Sequence, residues 1–219
     1  MNKPGKTAGN SVIRVQLPDG MDEGIKRAKG LLLSGGLVAY PTESFYGLAV
    51  DATNEQAIIR LFFVKKRKPD RPVLILIPSV ESLAQYVATI PPVVRRLIRE
   101  FWPGGLTIVF DASSKVSQLL TAKSGKIGIR LSSHPLATAL ARTIGRPITG
   151  TSANVSGEGP CSTAKEVFDS LGDSVDLILD GGKTEGKIGS TVLDVTVDPP
   201  KILREGMVSR EKLVRLISS

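Results

Sequence analysis

Residues 34–77, SGGLVAYPTESFYGLAVDATNEQAIIRLFFVKKRKPDRPVLILI, decide the fold class. Gly35-Gly36 end a preceding helix, and 37–40 read as a short buried strand. Pro41 has no N–H for a sheet ladder, so it closes that strand and opens a hydroxyl-rich turn, Pro41-Thr42-Glu43-Ser44. Extended structure resumes at 48–50. Thr53 and Gln56 have capping-box spacing, with Thr53 as N-cap. Ala57, Ile58, Leu61 and Phe62 then repeat at helical spacing. The helix delivers Lys65 to its C-terminus, where a cation suits the dipole. The near-continuous apolar run 73–77 reads as a central strand. Strand, helix and strand in this order define an α/β pattern.

The rest of the chain repeats that alternation. Strands are expected at 11–17, 106–110, 127–131, 147–149, 177–179, 191–195 and 202–203. Helices are expected from Asp22, near 80–86, and over 92–101, 135–144 and 163–171, with a last one capped by Ser209. Several connections read as hairpins, so the sheet is expected to be mixed. No repeat, low-complexity tract or linker divides the chain. The expectation is one α/β domain over 11–219, a twisted mixed sheet flanked by helices, preceded by a polar tail at 1–10.

The 219 residues carry 41% hydrophobic and 23% charged residues, ordinary for a chain that buries a full core. No apolar run approaches the roughly 18 residues of a membrane helix, and the first residues do not resemble a secretory signal. The one cysteine, Cys161, excludes an internal disulfide and a cysteine-built metal site. No protein-held metal is expected, and a cytoplasmic location is the simple inference. A net charge of +8 points to anionic partners, nucleotide phosphates or RNA. Aromatic residues make up only 5%, which argues against an extended base-stacking platform.

Four groups of residues can carry chemistry. Lys65, Lys66, Arg67, Lys68 and Arg71 can clamp a polyphosphate, Arg as a planar fork and Lys as a point charge. Their spacing is not that of a Walker loop. A solvated helix-to-strand loop explains the cluster equally well. Thr42 and Ser44 supply donors and acceptors for a small polar ligand, or else bond their own turn. Thr151 to Gly157, TSANVSG, lets a ligand approach backbone closely. Arg130, Ser190 and Arg204 lie on strands or strand ends, where a charge needs a partner. His134, the only histidine, reads as a capping or packing residue and does not form a zinc motif. What remains is electrostatic chemistry on phosphates.

Seven segments occur in an order that resembles the YrdC-type threonylcarbamoyl-AMP synthases: YPTESFYGLAVDA, VKKRKPDRPVLILI, WPGGLTIVF, KIGIRLSSHPLATAL, GTSANVSG, GSTVLDVT and ILREGMVSREKL. The resemblance spans about residues 12–216 and points to the short, single-domain form. It implies a mixed sheet around a deep basic cavity. The implied reaction takes L-threonine, bicarbonate and ATP, with Mg²⁺, to threonylcarbamoyl-AMP and pyrophosphate. The implied pathway is tRNA threonylcarbamoyladenosine formation, with tRNA and transferase-complex proteins as partners. By this resemblance Lys65 and Arg67 hold ATP phosphates and are the catalytic pair. Arg71, Lys126, Ser152, Asn154, Arg204 and Pro160 (or Ser162) complete the nucleotide site. Arg130 takes the threonine carboxylate, with Thr42, Ser44, Gly150 and Ser190 around the amino acid. Ser44 stands where relatives carry a second Thr, and Leu76 where some carry His.

Two other readings stay open at this point. One is a non-catalytic RNA-binding module using the positive charge. The other is an enzyme that adenylates a different carboxylate or carbamate.

Overall fold

The computed structural model describes residues 11–15 and 21–218. The tail expected at 1–10, the end of the first strand at 16–17 and the capping side chain of Asp22 lie outside the described residues. In chain order come β1 (Ser11–Arg14), α1 (Met21–Leu33), β2 (Val38–Pro41), β3 (Tyr46–Ala49), α2 (Glu55–Val64) and β4 (Ile75–Leu76). A 3₁₀ turn at Val80–Gln85 precedes α3 (Pro92–Phe101), β5 (Leu106–Asp111), α4 (Gln118–Thr121), β6 (Lys126–Arg130) and α5 (Pro135–Ile144). Then follow β7 (Ile148–Thr149), β8 (Thr151–Ser152), α6 (Ala164–Leu171), β9 (Leu177–Asp180), β10 (Thr191–Asp194), β11 (Lys201–Arg204) and α7 (Arg210–Ile217).

The strands form two mixed sheets where a single one was expected. One runs β1-β9-β2-β3-β8, the other β11-β10-β5-β6-β4-β7. The chain passes from one to the other at Gly150, the single residue between β7 and β8. β7 pairs antiparallel with β4 and β8 antiparallel with β3, so the change of sheet takes almost no chain. Both strands are only two residues long, too short for a periodic signal in the sequence.

Both faces of β2 and β3 in the five-stranded sheet are buried, and the pleat sorts their side chains with period two. Val38 and Tyr40 of β2 pack with α1 and α5, through Ala28, Leu32, Leu136 and Leu140. Leu37, just before β2, and Ala39 within it face the larger core, with Ile58 and Leu61 of α2, Val167 of α6 and Ile108 and Ile129 of the second sheet. This burial supplies most of the cohesion.

Two local expectations change. The N-cap of α2 is Asn54, whose Oδ1 accepts from the Ala57 N–H at 3.1 Å. Thr53 is held by the Asp51 carboxylate instead, which accepts both its hydroxyl at 2.6 Å and its N–H at 2.8 Å. A charged acceptor outcompetes a cap made by a neutral hydroxyl. The strand expected over 73–77 shrinks to Ile75–Leu76 and lies beside the edge strand β7. Its flanking groups pair elsewhere: the Val73 N–H goes to Leu120 O and the Leu74 carbonyl accepts from Gly150.

Candidate active site

The end of α2 sorts the basic cluster. Lys66 adopts a left-handed φ of 49°, and the N–H groups of Lys66 and Arg67 return to Phe63 and Phe62 carbonyls. The reversal turns Lys65 inward, 1% exposed, and leaves Lys66, Lys68 and Arg71 in solvent. The Lys65 ammonium donates to the carbonyls of Ser152 and, at 2.6 Å, Asn154. The Lys65 carbonyl accepts from the Ser156 N–H at 2.8 Å. One residue thus clamps the 152–156 loop at three points. Burial, followed by the like charge of Arg67, pulls the Lys65 pKa down to about 7.

Arg67 is half-buried and held by backbone. Its Nη2 donates to Pro72 O at 2.7 Å and its Nε to Arg71 O at 3.3 Å. It lines a cavity of about 670 Å³. Lys126, Arg130, Arg204, Thr42, Ser44, Gly150, Ser152, Asn154, Pro160 and Ser190 line the same cavity. The structure therefore brings together residues spread over more than 160 positions of sequence. Lys65 and Arg71 are outside this lining. Lys65 sits behind the Ser152–Asn154 wall because its ammonium is engaged there, and Arg71 points to solvent.

The hydroxyl end is tightly ordered. Thr42 Oγ1 donates to Phe45 O at 2.7 Å, accepts from the Ser44 N–H at 3.2 Å and lies 3.2 Å from Ser44 Oγ. Beside it, Arg130 extends from β6 with 5% of its side chain exposed, ion-paired to Glu43 Oε1 at 3.2 Å. That pair lacks hydrogen-bond geometry: Arg130 Nε and Glu43 Oε1 are both buried without a hydrogen-bond partner among the described residues. The other Glu43 oxygen accepts from Ser132 Oγ at 2.5 Å. Opposite, Ser190 Oγ lies 2.8 Å from Thr107 Oγ1, and Arg204 donates to the Ser190 carbonyl from Nη2 at 2.7 Å and Nε at 3.2 Å.

Gly206 makes that last arrangement possible. A Cβ there would lie 2.2 Å from Gly189 O and 2.6 Å from Ser190 C, both backbone atoms that cannot swing aside. Gly206→Ala is expected to cost about 3 kcal/mol. Thermal unfolding should show a Tm lower by roughly 6–12 °C.

Among the described residues four cations line the cavity, Arg67, Lys126, Arg130 and Arg204, together with three acids, Glu158, Asp194 and Glu205. Lys126 is paired to Asp194 at 3.0 Å. Burial opposes ionisation of Asp194, but its bonds from Thr196 and Lys126 prevail and hold its carboxyl below the usual range. Burial lowers the Arg67 and Arg204 pKa values, with Arg71 adding to the first and Arg130 to the second. Arg130 and Arg204 thus feel one another's charge across the cavity. Asn154 donates through Nδ2 to Val155 O and Glu158 O, while its buried Oδ1 has no hydrogen-bond partner among the described residues. His134 caps α5, its Nδ1 accepting from the Leu136 N–H.

Sequence reasoning missed much of the wall, its three acids included. Phe45, Tyr46, Leu74 and Thr107 all line the cavity. Phe45 and Tyr46 follow the hydroxyl turn directly, so that turn carried their signal. Thr107 is the one polar residue at the inner end of an apolar strand, a position that calls for a partner. Leu74 had no signal of its own, being one apolar residue in an apolar run.

An α/β protein whose two sheets share a cavity with convergent cations and hydroxyls has the form of a small-molecule site. The chain belongs to the Sua5/YciO/YrdC family, whose model, described as telomere recombination, matches residues 30–206. A threonylcarbamoyl-AMP synthase of Pyrococcus abyssi (strain GE5 / Orsay) is 37% identical over 193 residues, 88% of this chain and 57% of that protein. A putative threonylcarbamoyl-AMP synthase of Mycobacterium tuberculosis (strain ATCC 25618 / H37Rv) is 36% identical over 91% of this chain and 92% of its own length. The crystal structure of P. abyssi Sua5 complexed with L-threonine superposes with a TM-score of 0.91 at 35% identity, covering 94% of this chain and 61% of that one. That of E. coli YciO gives 0.83 at 27% identity, covering 91% and 97%. The chain thus spans little more than half the length of the P. abyssi protein and nearly all of the other two.

Proposed function

We propose that this protein is an L-threonylcarbamoyladenylate synthase, a nucleotidyltransferase in tRNA threonylcarbamoyladenosine formation, and that residues from 11 onward act as one catalytic domain. The observation that carries the reading is the shared cavity, in which the Thr42–Ser44 turn and Arg130 meet Arg67, Lys126 and Arg204. Synthase relatives and a threonine-bound structure of the same fold support it. In this reading tRNA and the proteins that transfer the threonylcarbamoyl group stand downstream, in the cytoplasm. Among the described residues no helix is long and apolar enough to cross a membrane.

Arg130 takes the threonine carboxylate, and Thr42, Ser44, Gly150 and Ser190 surround the rest of the amino acid. The threonine amine and bicarbonate condense to an N-carboxylate with loss of water. A carboxylate oxygen attacks the α-phosphorus of ATP, the bond from that phosphorus to the bridging oxygen breaks, and pyrophosphate leaves with its electron pair. ATP enters as its Mg²⁺ complex. Arg67, Arg204 and Lys126 face the nucleotide and offset charge that develops on the phosphates. The unpaired Asn154 Oδ1 is an acceptor for a nucleotide hydroxyl or amine, and Pro160 packs at the same end. Lys65 acts from behind, by holding Ser152 and Asn154 in place.

Protein incubated with ATP, Mg²⁺ and bicarbonate is expected to release pyrophosphate only when L-threonine is added. Release independent of threonine, or none at all, overturns the reading. A panel of other amino acids in the same assay measures how strict the site is.

A further inference from the structure

The four cations of the cavity are not equivalent. Arg67 is held by the carbonyls of Arg71 and Pro72, and Arg204 by the carbonyl and hydroxyl of Ser190. Neither has a carboxylate at ion-pair distance among the described residues, and Lys126, paired with Asp194, keeps 37% of its side chain exposed. Arg130 instead faces the Glu43 carboxylate at 3.2 Å, with both side chains at least nine-tenths buried. A triphosphate entering a cavity with Arg130 uncompensated would be drawn to the amino-acid end as well as to its own. Inorganic phosphate and pyrophosphate, the latter a product of the proposed reaction, would be drawn there too.

We propose that Glu43 is a specificity-determining residue that keeps phosphates out of the amino-acid end. The inference rests on the functional reading above. Glu43 neutralises Arg130, so the Arg130 side of the cavity carries a balanced charge and is complementary to a zwitterion rather than to a phosphate, and Arg204, bonded to Ser190, is the uncompensated cation next along the wall. The Arg130 Nε, buried without a partner, remains a donor for a carboxylate oxygen. The bond from Ser132 Oγ to the second Glu43 oxygen fixes the acid beside the guanidinium without touching the cavity. The pairing costs Arg130 little of its reach, because the contact with Glu43 does not have hydrogen-bond geometry.

Calorimetric titration of L-threonine, without ATP, separates this proposal from the functional reading. The unaltered protein should bind threonine, and millimolar inorganic phosphate should not displace it. No threonine binding by the unaltered protein counts against the functional reading and takes this proposal with it. Glu43→Gln keeps the shape and the acceptor for Ser132 but removes the charge. It should weaken threonine binding by about 10–100-fold and make it competitive with phosphate. A merely structural role would lower threonine affinity without creating phosphate competition, and that result overturns the proposal. Ser132→Ala and Glu43→Asp keep the negative charge and should go on excluding phosphate. Phosphate displacing threonine from either refutes the charge argument, and this comparison decides the matter even where Glu43→Gln does not fold.

Discussion

Replacing Lys65 with methionine is expected to lower threonine-dependent pyrophosphate release by at least about a hundredfold. The side chain is close to isosteric, so the loss is that of the ammonium alone. The Ser152 and Asn154 carbonyls lose their common donor in a region from which water is largely excluded. A buried carbonyl left unpaired costs about 1–3 kcal/mol, and here there are two, so the loop shifts to recover partners. Ser152 and Asn154 both line the cavity, and the shift reaches the end proposed for the nucleotide. The same variant tests the low pKa. The unfolded chain holds the Lys65 proton up to the ordinary lysine value of 10.5, while the folded chain releases it near 7. Between those values the unfolded state binds more protons, so this residue makes stability rise with pH. Urea unfolding between pH 7 and 9 should show that rise in the unaltered protein and a flatter profile in Lys65→Met. Equal slopes would mean that Lys65 stays charged throughout.

Arg130→Met should remove threonine-dependent turnover and destabilise the fold together. The substitution strands the Glu43 carboxylate, 10% exposed, without its counter-charge. Losing one partner of a buried ion pair costs about 3–5 kcal/mol. In thermal unfolding that is a Tm lower by roughly 6–20 °C. Adding Glu43→Gln removes the stranded charge, so the double variant should regain much of the lost stability but none of the threonine binding. Arg130→Lys separates geometry from charge. It keeps the ion pair but not the planar fork, so stability should hold better than affinity.

The α/β class was legible because apolar runs, helical spacing and turn residues agree along 34–77, and α5 and α7 lie where their caps, His134 and Ser209, place them. The two-sheet arrangement was not legible. It depends on β7 and β8, and two-residue strands are set by what they pair with rather than by their own side chains. The part of the cavity that was legible came through the family's motifs: Arg67, Arg130, Ser152, Asn154, Ser190 and Arg204 all line one space. The inward turn of Lys65 was not, because it follows from the left-handed backbone at Lys66, and a lysine there gives no hint of positive φ. Glu43 was hidden differently. It sits in the quoted turn between two hydroxyl residues, and only the fold brings it to Arg130, 87 positions away.

The passage through Gly150 couples the two ends of the cavity. Thr149 lies in one sheet and Thr151 in the other, and Gly150 donates its N–H to Leu74 O at 2.9 Å between them. A Cβ at Gly150 would meet Leu74 Cδ1 at 2.3 Å, so the crossing is packed as well as bonded. Ser152, two residues on, is held by Lys65 at the nucleotide end. Threonine and ATP in the proposed reaction therefore share one short piece of backbone as a common ruler. A substitution that re-aims β8 for a different nucleotide also moves the wall facing the amino acid. Preference for another amino acid is more freely changed from the wall at Thr107 and Ser190, where β5 and the residue before β10 carry side chains outside that ruler.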